Sequence, residues 1–238
     1  MNFSMRRVNA LFKKEAKDLS KNINVLFMCL LPMIFCIMYS KLFCDSQEGK
    51  LYILNMCLNM NFVLVSGLTI AMMIAEEKEK NTLRTLMLAC VSPLEFLVGK
   101  AIIILLLSLG TNILMFFIIG MEFSYLGHFI FITTLVVISM MEFGAVVGII
   151  AENQMSTGTI GMPFFMIILI IPLFAKINDA CKIVANFLPN CNMEILLNRI
   201  FTNEHINMNF TYSIAIILGW IIMGAGVFAY AYSKKRLD

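Results

Sequence analysis

Six long apolar runs constrain this chain more than any other feature: roughly Ile23–Phe43, Leu51–Ala75, Phe96–Met121, His128–Ala151, Thr159–Ala175 and Phe210–Tyr232. A bilayer core of ~30 Å needs about 20 apolar residues per helix, and each run is near that length. Transmembrane strands would show ~10-residue alternation instead, which is missing here. Composition agrees: 60% of the 238 residues are hydrophobic and only 14% charged, too apolar for a soluble domain of this size. The chain therefore reads as an all-α integral membrane protein with six transmembrane helices.

Charge placement orients it. Thirteen of the eighteen basic residues lie in the N-terminal leader, in the stretch from the end of the second run to Lys100 at the start of the third, and in the C-terminal Lys234-Lys235-Arg236. The positive-inside rule puts these segments and both termini in the cytoplasm. The basic residues are topology determinants, and no nucleic-acid partner is implied. The first run begins too late and is too long for the apolar region of a cleaved signal.

Residues 4–21 place Met5, Val8, Leu11, Phe12, Ala16 and Leu19 on one helical face, with Arg6, Lys13, Lys14 and Lys17 on the others. That pattern predicts an amphipathic helix lying in the inner interface. Spans one and two occupy 22–75. The charged loop, 76–95, is the segment between long runs with the strongest local signals. Asn81 or Thr82 can cap a short helix over Thr82–Cys90, apolar on Leu83, Leu86 and Met87. Ser92-Pro93-Leu94-Glu95 is a capping box with proline at the first helical position. Spans three and four follow over 96–151, span five over 156–175, an outer segment over 176–209 and span six over 210–232, all in a single transmembrane domain. The outer segment holds apolar stretches too short to span, which predicts a re-entrant pair before the last span.

Polar residues inside the runs are functional hypotheses by default. Glu142 can pair with a basic residue, reach water, or serve a substrate or proton. Asn55 and Asn59 either join helices or line a cavity. Gly144 and Gly148 suit close helix contact. Cys181 and Cys191 are the candidates for an outer disulfide, and the seven cysteines form no metal pattern. No nucleotide, zinc or serine-hydrolase motif is present: Gly99-Lys100 ends like a P-loop, but Leu94 and Ala101 occupy the positions that need glycine and a hydroxyl. Glu76-Glu77 with Phe201-x-x-x-His205 resembles the motif pair of CAAX-type intramembrane proteases, except that Asn81 replaces the arginine and the two halves fall on opposite sides of the membrane.

The order of parts resembles the ABC-2 type permease family. The likeness is carried by Glu77-Lys78-Glu79-Lys80-Asn81-Thr82-Leu83-Arg84-Thr85-Leu86, by Val91-Ser92-Pro93, by Gly99-Lys100, and by the Gly148…Asn153-Gln154 exit of span four. Asn81 stands where members often have glycine, and Arg84 where they have an acidic residue. The resemblance implies a membrane subunit of an ABC exporter that is not itself an enzyme and binds no cofactor. It implies a cytoplasmic ABC ATPase dimer, with ATP and Mg²⁺ on that partner, gripping a coupling helix through Glu77, Glu79, Thr82, Leu83, Arg84, Leu86 and Met87. A second copy or a sister permease completes the pathway in a bacterial plasma membrane. The expected cargo is an amphipathic or lipophilic molecule, an antimicrobial peptide or drug first. The alternative is a sensor or immunity subunit that relays peptide presence to the ATPase.

Overall fold

The structure is a computed structural model; it describes residues 5–19, 21–43, 46–80, 93–175, 177–202 and 208–235. All regular structure among them is helical: α1 (Met5–Leu19), α2 (Ile23–Phe43), α3 (Gln47–Asn61), a π-helical stretch (Phe62–Leu68), α4 (Thr69–Glu79), α5 (Pro93–Ile119), a 3₁₀ turn (Phe123–Tyr125), α6 (Leu126–Ile150), α7 (Gln154–Phe174), α8 (Asp179–Ala185), α9 (Pro189–Phe201) and α10 (Met208–Lys235). Among the described residues, six helical stretches are long and apolar enough to cross a membrane: Ile23–Leu42, Gln47–Glu79, Leu97–Ile119, Phe123–Ile150, Gln154–Phe174 and Phe210–Ala231. The predicted coupling helix, Thr82–Cys90, lies outside the described residues.

Helix ends follow local chemistry. Proline opens two of the helices, Pro93 in α5 and Pro189 in α9, at a position where its missing N–H costs nothing. Asn153 caps α7: its Oδ1 accepts from the Ser156 amide at 2.8 Å, and Ser156 Oγ accepts from the Asn153 amide at 3.1 Å. At the end of α5, Gly120 adopts φ +72°, a left-handed conformation open to glycine without a Cβ penalty. Its amide donates to Phe117 O and the Met121 amide to Phe116 O, so the helix closes in a Schellman turn.

The second span is the axis of the bundle. Its apolar window is 89% buried, against 17% for the first and sixth spans and 22% for the fifth. It is one continuous helical rod through α3, the π-helical stretch and α4, and it runs on to Glu79. Glu76 to Glu79 are therefore helical, where the sequence reading began a loop at Glu76. The fourth span lies against this axis at very short range. A Cβ on Gly144 would collide with the Gly67 carbonyl, and one on Gly148 would come within 2.7 Å of Ala71 O. Both glycines are needed for that approach. The sequence carries no periodic signal for the π-helical stretch. Gly67 lies within it, pressed between Gly144 on α6 and the Phe165 ring of α7.

Amides and hydroxyls bind the axis to its neighbours. Asn61 donates to Ser108 O and Oγ (both 3.1 Å) and to Asn112 Oδ1 (2.6 Å), and accepts from Thr111 Oγ1 (2.9 Å). Ser66 and Ser108 share a 2.7 Å hydroxyl bond. All are buried, so each bond replaces a costly orphan in an apolar surround.

At the end remote from Glu79, α8 and α9 close the bundle. Trp220 of α10 donates to Phe187 O at 2.6 Å. Phe201 of α9 packs edge-on to Tyr125 and near Phe116, which in turn meets Phe129.

Candidate functional site

At the charged end of α4, side chains reach α1, α5, α6 and α7. Glu77 is 5% exposed and Lys100 of α5 is 2% exposed, levels at which a charged side chain needs partners. Lys100 Nζ lies 2.7 Å from Glu15 Oε1 and 3.3 Å from Glu77 Oε1. Lys14 Nζ reaches the same Glu77 oxygen at 2.5 Å and Glu15 at 3.7 Å. Two carboxylates and two ammoniums thus tie α1, α4 and α5 together. A further pair, Arg7 to the buried Glu95 at 3.4 Å, repeats the link between α1 and α5.

The helix that supplies Lys14 and Glu15 docks by an apolar stripe, Val8, Leu11 and Leu19, with Glu15 in the same row. Gly99 lets it approach: a Cβ there would stand 2.9 Å from Leu11 Cβ. Gly99-Lys100 therefore has a local physical meaning, clearance from the glycine and a buried cation from the lysine. Met5, expected on the apolar face, is exposed.

Burial drives the Glu15 carboxyl above its ordinary range, although Lys100 and then Lys14 pull the other way. For Lys14 burial acts downward, but the hydrogen bond and charge of Glu77, helped by Glu15 and Asp18, leave the ammonium above its ordinary 10.5.

The next two residues of α4 extend the junction. Lys78 Nζ donates to Ile149 O at 2.7 Å and to Ala151 O, at the C-terminus of α6. Glu79 Oε2 accepts from the Gln154 amide at 3.0 Å, at the N-terminus of α7. A cation at a helix C-terminus and an anion at a helix N-terminus each complement the helix dipole. Three successive residues therefore hold different elements: Glu77 holds α1 and α5, Lys78 holds α6, and Glu79 holds α7. Of the residues read as the coupling surface, Glu77 and Glu79 lie in this junction. Thr82, Leu83, Arg84, Leu86 and Met87 lie outside the described residues.

The other candidates are scattered. Asn55 Nδ2 donates to Asn198 Oδ1 at 3.1 Å, and Asn59 Oδ1 accepts from Asn190 Nδ2 at 2.9 Å, so both join α3 to α9. Asn55 also lines a cavity, and its own Oδ1 has no partner among the described residues. Glu142 of α6 faces Gly224 of α10, where a Cβ would come 2.5 Å from its Oε2. That oxygen has no hydrogen-bond partner among the described residues. Cys181 and Cys191 are separate thiols. Burial, with the Glu194 charge second, pushes the Cys191 thiol up to about 12, far from the reactive thiolate. The protease-like halves are well separated: Glu76 and Glu77 end α4, while Phe201 ends α9 at the Asn55 end of the same axis; His205 lies outside the described residues.

Glu15 and Lys78 were missed as site residues. A lone acid in the apolar row of a basic helix was the available signal for Glu15. Lys78 carried none, because its partners in the junction are backbone carbonyls.

Six membrane-length helical stretches, the second to the fifth linked at one end by a polar junction, define a polytopic helical membrane protein. The family model described as ABC-2 family transporter protein matches residues 45–231, and the chain belongs to that family. No curated protein matches it.

Proposed function

We propose that this chain is the membrane-spanning subunit of an ATP-driven exporter in a bacterial plasma membrane, with both termini cytoplasmic. A separate ABC ATPase dimer, carrying ATP and Mg²⁺, engages segment 82–90, and a second copy or a sister permease completes the path. The carrying observation is the division of labour at Glu77, Lys78 and Glu79. A push on the segment that follows them is delivered at once to α1, α5, α6 and α7, so the bundle can tilt as a body. The α8–α9 pair serves as a re-entrant outer cap.

An amphipathic or lipophilic cargo, an antimicrobial peptide or drug first, is supported by a cavity of about 420 Å³ between α2, the second span and α7. Met28, Met72, Met155 and Met162 line it with Phe27 and Leu68, and methionine surfaces adapt to varied apolar partners. The test is reconstitution with a candidate ABC ATPase partner. Deleting residues 82–89 should leave the protein inserted and ATP hydrolysis present while abolishing transport; unchanged transport would refute the coupling role. Peptide-dependent hydrolysis without vesicle transport would replace export by the sensor reading.

A further inference from the structure

The apolar stripe of α1 is taken up by α5, which leaves the opposite face of the helix to be explained. At 3.6 residues per turn, Arg6, Lys13 and Lys17 fall within about 40° of one another and roughly 180° from the buried Glu15. All three are exposed. Of the two acids in the helix, Glu15 is buried and Asp18 stands on the Lys14 flank, so the cationic stripe itself contains no carboxylate.

Neighbouring elements fix the level at which this stripe sits. A Cβ on Gly99 would stand 2.9 Å from Leu11 Cβ, and the apolar window of the third span begins at Leu97. The middle of α1 therefore lies beside the entry of that span. At its other end α1 stops at Leu19, and the first span begins at Ile23. The Lys21 and Asn22 amides donate to Asp18 O and Leu19 O across this elbow, and Asn22 Oδ1 accepts from the Asn24 and Val25 amides as α2 opens. The helix thus runs from one membrane entry to another, at head-group depth. Its two flanks differ. Met5, 71% exposed, lies with Phe12 and Ala16 on one side of the stripe, and Arg7, Lys14 and Asp18 lie on the other. An apolar flank beside a cationic row fits a bilayer surface, where basic stems lie along hydrocarbon and their heads reach phosphate.

We propose that the Arg6–Lys13–Lys17 stripe binds the head groups of anionic phospholipids, so that α1 is held between lipid charge on one face and α5 on the other. At the usual contribution of a basic side chain near an anionic surface, removing two of them weakens binding about thirtyfold. Binding requires neither ATP nor a partner protein. Its failure leaves the permease reading standing, and failed export leaves the lipid site standing.

The test uses the full chain with Trp220→Phe and Asn9→Trp, which places its one tryptophan between the stripe and the apolar flank. The nanodiscs are phosphatidylcholine brominated on its acyl chains, a quencher of tryptophan fluorescence. Unbrominated phosphatidylglycerol, added at low salt, should relieve quenching with a preference at least tenfold over phosphatidylcholine. Arg6→Gln with Lys13→Gln should bring that preference below threefold, Arg6→Lys with Lys13→Arg should retain it, and about 1 M salt should remove it. Ala10→Trp, on the far side of the stripe, should report the same preference and decides the matter where Asn9→Trp lowers the folded yield. A preference that survives the double glutamine variant would overturn the proposal. So would equal occupancy by the two lipids, which would leave the stripe to an acidic protein surface.

Discussion

Lys100→Met isolates the ionic junction. The ammonium it removes is 2% exposed and serves Glu15 and Glu77, themselves 4% and 5% exposed. Taking one partner from a buried ion network costs about 3–5 kcal/mol, because the remaining charges stay desolvated. Lys14 still reaches Glu77, so the lower figure applies. At about 1.36 kcal/mol per decade, roughly 3 kcal/mol shifts the docking equilibrium of α1 about a hundredfold. Spin labels at Lys13→Cys and Leu106→Cys, both exposed positions, would report this by double electron–electron resonance. The otherwise native chain should give one narrow distance, and Lys100→Met a broad, longer distribution. Glu15→Gln combined with Lys100→Gln removes one charge of each sign and should restore most of the narrow peak. A Lys100→Met distribution identical to the parent's would refute the claim that buried charge holds α1.

Three further outcomes follow from the same geometry. Gly144→Ala drives a methyl into the Gly67 carbonyl and should sharply reduce folded yield in fluorescence size-exclusion, while Gly110→Ala, which meets nothing within 4 Å, should be neutral or stabilise by about 0.5–1 kcal/mol. Asn61→Leu strands several buried partners and should destabilise by about 1–3 kcal/mol per orphan; Asn112→Leu should cost less in the same thermal melt, because Asn112 Nδ2 already lacks a partner among the described residues. The raised Lys14 ammonium contributes docking that is fully present below pH 10.5 and lost as pH rises through its higher folded value. The label distance should therefore stay constant from about pH 7 to about 10 and broaden only above that range.

Much of the molecule was written in apolar run length. Hydrocarbon thickness alone sets the need for about 20 apolar residues, so the six spans could be counted without a structure. The helix start at Pro93 was also legible, since it acts through neighbours a few residues away. The loop motif from Glu77 and the Gly99-Lys100 pair were visible as a family likeness, but not as parts of one site. Only the tertiary structure brought Glu15, Glu77 and Lys100 together, because sequence separations of 23 and 85 residues carry no spacing rule. It likewise decided that Lys78 and Glu79 hold helix ends, since their partners there are backbone groups that no side-chain pattern reveals. Solvent dictated which segments leave water, and packing dictated which buried charges meet.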